Sequence, residues 1–129
     1  MDDPMMLRAT MIVLAGAVAL GLALALWHLR ASKVRPSGVN WIGIVHGGLG
    51  AAGLALLALA VSGPPRGAAT GTSQFGLVAA ILFGGALLVG VTLPFLLRRR
   101  SPISGTVMAV HAGIAITGMV IALAWAAFD

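Results

Sequence analysis

The sequence contains no cysteine and no glutamate, and its three aspartates, Asp2, Asp3 and Asp129, all stand in the terminal segments. Without thiols there are no disulfides, thiolate-held iron–sulfur clusters, covalently attached c-type haem or thiol redox chemistry. Without a carboxylate in an apolar run, an ion-coupled carrier or an acidic proton relay is disfavoured, since both usually place an acid inside the membrane. Charge of either sign is scarce. Only 9% of residues are charged, where a soluble domain carries about a quarter.

What remains is apolar: 60% of the residues are hydrophobic and the mean hydropathy is +1.06. Four runs stand out, Leu7 to Leu29, Val39 to Val61, Phe75 to Leu97 and Ile103 to Phe128. Each reaches the roughly 20 residues that cross a hydrocarbon core at about 1.5 Å per residue. The expected fold is all-α, a four-helix transmembrane bundle forming one integral membrane domain over 1–129. No stretch is left over for a soluble domain. Ala23-Leu24-Ala25 resembles a signal-peptide cleavage site. Yet the first run is too long for a signal h-region, and its cations follow it rather than precede it. It is expected to stay as a helix.

The net charge of +5 is a membrane feature rather than a nucleic-acid signal. Arg30, Lys33 and Arg35 lie between runs one and two, and Arg98, Arg99 and Arg100 between runs three and four. The other two cations are Arg8 and Arg66. The positive-inside rule then puts the two basic loops in the cytoplasm and both termini outside, as in a bacterial inner membrane. Membrane lipid is the first expected partner. The Arg98–Arg100 run anchors topology and meets anionic headgroups.

The chain reads as a duplicated two-helix unit: repeat one over 7–61, an outer loop over 62–74, repeat two over 75–128. A shift of 65 residues lays Val45, His46, Gly48 and Gly53 on Val110, His111, Gly113 and Gly118. A shift of 69 pairs Gly16 with Gly85, Gly21 with Gly90 and Arg30 with Arg99. Each repeat has two spans, so the repeats run parallel and the two histidines share one depth. Pro36-Ser37-Gly38 and Pro102-Ile103-Ser104-Gly105 open the even-numbered spans, with Ser101 placed as an N-cap. Pro94 should kink the third span. The outer loop, rich in Gly, Pro, Thr and Ser, reads as a flexible connection. Trp27, Trp41 and Trp125 read as interfacial belt residues.

The histidines carry the chemistry. An ionisable group in a span usually faces a partner, a cavity or the bundle interior. On a helix, His46 shares a face with Gly50 and Gly53, and His111 with Ala115 and Gly118. Such a strip of small residues admits a close helix neighbour or a flat prosthetic group. Two neutral imidazoles on facing spans can ligate one haem iron axially, so His46 and His111 are candidate ligands of a b-type haem. The surrounding Gly50, Gly53, Ala115 and Gly118 would be cofactor-binding. Arg30, Lys33, Arg35 and Arg98–Arg100 are placed for the propionates. The same histidines could instead only bridge helices by hydrogen bonds. They could also serve quinone binding, proton transfer or a transition metal. A bare two-histidine metal site lacks ligands to complete it. His28, beside Trp27 and Arg30, reads as an interfacial residue. Met108 and Met119 could supply an axial alternative, although ordinary packing explains them.

Four spans, basic inner loops and a histidine early in each second span resemble small uncharacterised bacterial membrane proteins. The pattern is also broadly similar to the four-helix core of cytochrome b561-type proteins. That resemblance implies b-type haem on paired histidines and electron exchange with quinone or another carrier. It extends only to His46 and His111, and so to one haem where such proteins commonly hold two. The function expected is a small haem-binding electron carrier. The alternative is a non-catalytic subunit or assembly factor within a larger membrane complex or homo-oligomer, and neither reading makes the chain a stand-alone enzyme.

Overall fold

A computed structural model of the chain describes residues 4–30, 41–99 and 101–127. They form four helices: α1 (Pro4–Arg30), α2 (Trp41–Val61), α3 (Phe75–Arg98) and α4 (Ser104–Ala127). There is no strand among the described residues. Lys33, Arg35, Arg100, the Pro36-Ser37-Gly38 motif and the three aspartates lie outside them. The shortest helix has 21 residues and the longest 27, about 32 to 40 Å of rise against a hydrocarbon core of about 30 Å. All four are long and apolar enough to cross a membrane. The protein is an all-α bundle with four membrane-spanning helices.

The helices form a ring. Each of α1 and α3 packs against both α2 and α4, while α1 and α3, like α2 and α4, are diagonal partners. Three contacts fix the register of α3 and α4. Gly90 meets His111, Gly118 meets Phe83, and Gly76 meets Trp125. In α1 and α2, Gly21 meets His46 and Gly53 meets Leu14. Moving forward along one helix moves backward along its partner, so both pairs are antiparallel. The ends with Arg30 and Arg98 therefore lie together at a basic end, and loop 62–74 closes the opposite, loop end.

The buried face follows the same spacing in both halves. Leu7, Thr10, Leu14 and Ala17 are buried in α1, and 69 residues on so are Gly76, Ala79, Phe83 and Ala86 in α3. Gly53, Leu57 and Ala60 are buried in α2, and 65 residues on so are Gly118, Ala122 and Trp125 in α4. Volume is traded across corresponding positions. Leu7 and Ala60 share the core of one half, where the other half sets Gly76 against Trp125. These intervals of three and four keep one stripe on the core side of each helix.

Every buried position in the described spans lies at the level of the histidines or between them and the loop end. From the histidines to the basic end, no described side chain is fully buried. Among the described residues, the tightly packed part of the bundle is thus the loop end.

Two local features differ from the sequence reading. Trp27 and Trp41 are 68% and 67% exposed, as belt residues would be, but Trp125 is only 3% exposed. Its indole fills the space above Gly76, where a Cβ would lie 2.8 Å from Cε2. The Ser101 side chain has no capping bond; instead its carbonyl accepts from the Ser104 N–H at 3.1 Å. α3 continues through Pro94 to Arg98. Loop 62–74 is closed by its own hydrogen bonds. The Gly67 carbonyl accepts from the Thr72 N–H at 3.0 Å and from the Thr70 hydroxyl at 3.1 Å, and the Thr70 and Thr72 hydroxyls pair at 2.9 Å. Gly67 has φ +70°, and a Cβ there would fall on the Thr72 hydroxyl, so this turn requires glycine.

Candidate functional site: a histidine pair in the bundle core

His46 enters from α2 and His111 from α4, the diagonal helices, and their rings meet across the core. The ring centres are 5.9 Å apart and the planes cross at 85°. The sequence placed both at one depth, and the structure brings them together.

Each ring is held by the neighbouring helix in the same way. His46 Nδ1 donates to the Ala17 carbonyl of α1 at 2.9 Å, and His111 Nδ1 donates to the Ala86 carbonyl of α3 at 2.7 Å. A carbonyl only accepts, so Nδ1 carries the proton in both rings. In the neutral form this leaves Nε2 with its lone pair, and neither Nε2 has a hydrogen-bond partner among the described residues. Imidazoles that bind metals commonly donate their other nitrogen to such a backbone or carboxylate acceptor. A ring in this state can ligate a metal, accept a hydrogen bond or accept a proton.

Glycine makes this approach possible. A Cβ on Gly21 would lie 2.6 Å from His46 Cε1, and one on Gly90 would lie 2.8 Å from His111 Cε1. Those glycines were legible as a matched pair in the sequence. Their role was not, because it depends on the antiparallel register of each hairpin.

The small residues expected beside the histidines divide into two groups. Gly53 is filled by α1, its missing Cβ replaced by Leu14 and Val13. Gly118 is filled by α3 through Leu82 and Phe83. Both admit a close helix neighbour, the first of the two uses a small-residue strip allows. Gly50 has nothing within 4 Å of where a Cβ would stand, and Ala115 is half-buried. On α2, open space therefore begins at Gly50, one turn from His46.

His28 is exposed at the end of α1 beside Arg30, and Arg98 and Arg99 are exposed at the same end. Met119 belongs to the packed core, and Met108 is half-buried one turn before His111. Among the described residues, no three His, Asp or Glu side chains gather where they could hold a metal. The histidine pair thus offers two protein ligands and no charge to offset a bare divalent ion. A cleft of about 290 Å³ lined by Met6, Leu59, Ala60, Ser62, Gly63, Pro64 and Arg66 lies at the loop end, away from the histidines. No family model, curated protein or solved structure matches this chain.

Proposed function

We propose that this integral membrane protein holds one b-type haem through His46 and His111 and passes electrons near its basic end. The observation that carries the proposal is the pair itself: two imidazoles on diagonal helices, 5.9 Å apart, each with Nδ1 tied to a backbone carbonyl. His46 and His111 would hold the haem, and their rings meet across the core.

The surroundings of the pair differ between the two ends of the bundle. Toward the loop end, Leu14, Phe83 and Leu57 fill the core. Toward the basic end no described side chain is fully buried, so that side of the pair is the less filled one. Arg30, Arg98 and Arg99 stand there, exposed, and would offer charge-assisted bonds to carboxylates. When bound, haem supplies one-electron transfer. The chain orients the two imidazoles, shields the site with apolar helices and presents cations at the open end. The orientation that follows from the charges puts this end at the cytoplasm, where a quinone or a larger membrane complex could exchange electrons.

The test is an absorption spectrum of the full chain, purified in detergent after haem-sufficient expression. A Soret band and a reduced α band that disappear in His46→Leu and in His111→Leu support the proposal. A colourless parent protein refutes it.

A second reading keeps the pair purely structural, in an accessory subunit or assembly factor. Each histidine bond also ties one helix to its neighbour, α2 to α1 and α4 to α3. Interhelical bonds in membranes contribute about 0.6–2 kcal/mol, so packing alone could use them. This reading requires a colourless protein that co-purifies with a larger complex and works without either imidazole.

A further inference from the structure

We infer that Gly21 and Gly90 are positioning residues that set the planes of the two imidazoles and direct Nε2 as the acceptor atom. The inference deepens the haem reading, on which its spectroscopic arm rests, but its first measurement needs no haem.

Each ring is fixed at two points on the neighbouring helix. One is the carbonyl four residues before the glycine, Ala17 or Ala86, which binds Nδ1. The other is the glycine itself, whose missing Cβ leaves the room that the Cε1 edge occupies. A hydrogen bond alone leaves an imidazole able to rotate about its acceptor. The glycine surface removes that freedom, because carbonyl and glycine are one turn apart on the same face. The same clamp occurs in both halves, with acceptor distances of 2.9 and 2.7 Å, and a Cβ on the glycine would lie 2.6 or 2.8 Å from Cε1. Two clamps on facing helices cross the ring planes at 85°.

The glycines are specific in this. Gly16 and Gly85 stand on the same two helices, at positions that also match by the 69-residue shift, yet a Cβ on either meets nothing within 4 Å. A methyl group at Gly21 or Gly90 must push the ring outward by roughly 0.6–0.8 Å or more to reach ordinary van der Waals contact. That movement stretches or breaks the Nδ1 bond and turns the ring out of its present plane.

The experiment has two arms. In the first, ¹⁵N NMR of the haem-free chain in detergent reads the tautomers. Both His46 and His111 are expected with Nδ1 protonated and Nε2 bare, and Gly21→Ala or Gly90→Ala is expected to remove that signature from the clamped histidine. In the second, electron paramagnetic resonance of the oxidised haem-loaded protein reads the ring planes. Crossed planes give a low-spin ferric signal of unusually large anisotropy, which should shift or vanish in both alanine variants and persist in Gly16→Ala and Gly85→Ala. An Nε2-protonated tautomer in the parent overturns the inference, and this result does not depend on any variant folding. Alanine variants that keep the parent's tautomers and signal also overturn it. A parent that binds no haem but shows the expected tautomers refutes the haem proposal and leaves the clamp standing.

Discussion

Exchanging the core pair of one half into the other tests the packing register directly. At one position the second half sets Gly76 against Trp125, where the first half holds Leu7 and Ala60, both buried in the same core. The exchange is Gly76→Leu with Trp125→Ala. Alone, Trp125→Ala empties the space of a side chain that is 3% exposed, which costs about 3–5 kcal/mol. Alone, Gly76→Leu drives a branched side chain into the indole. Even the Cβ would lie 2.8–3.0 Å from three of its ring atoms, and overpacking of this kind costs about 1–3 kcal/mol or more. Independent sites would add to roughly 4–8 kcal/mol. If the residues face each other as described, the leucine fills the space that the indole leaves. The double variant should then be more stable than Trp125→Ala alone, with a coupling of about 2 kcal/mol. Reversible unfolding in mixed micelles, titrated with a denaturing detergent and followed by helicity, supplies the three differences. A double variant no more stable than Trp125→Ala would mean that the two positions do not share this site.

Three further outcomes follow from the same geometry. Gly53→Ala should lower stability by about 1–2 kcal/mol, because its Cβ would lie 2.6 Å from the fully buried Leu14 and overpacking outweighs the helix-propensity gain; Gly48→Ala, which meets nothing within 4 Å, should be neutral or slightly stabilising in the same titration. Gly118→Ala faces Leu82 and Phe83 at 3.3–3.5 Å, so its cost should be smaller than that of Gly53→Ala, and a larger loss would show that the two glycines are not packed as described. Single cysteines introduced at Gly63 and at Arg99 should label from opposite sides of sealed membrane vesicles, and labelling of both from one side would refute the four-span arrangement.

Much of this fold was legible because lipid solvation leaves few options. Four apolar runs of sufficient length became four helices, with α3 starting at Phe75 as read. The shared depth of His46 and His111 was legible from the repeat, and the structure sets them 5.9 Å apart. Contacts between helices were harder to read. Trp125 looked interfacial by position, but Gly76, far away in sequence, gives its indole a place in the core. The strip from His46 to Gly53 could be a slot or a packing face by spacing alone. Leu14 and Val13 decide for packing at Gly53. In loop 62–74, composition suggested mobility, whereas three bonds centred on Gly67 and Thr72 close the turn. At Trp125 and Gly53 a short-range pattern had two solutions, and a partner from another helix selected one.

The uneven core has a consequence for the order of assembly. Local stability follows buried apolar contact, and here that contact ends at the level of the histidines. Amide hydrogen exchange should therefore be slowest around Leu14, Leu57, Ala79 and Ala122, one completely buried position on each helix, and faster toward the basic end. The half near loop 62–74 can settle first and hold the helices in register. The histidine end can then open and close without unfolding the rest. A group taken up there would enter a preformed membrane protein and need not be present while the chain folds.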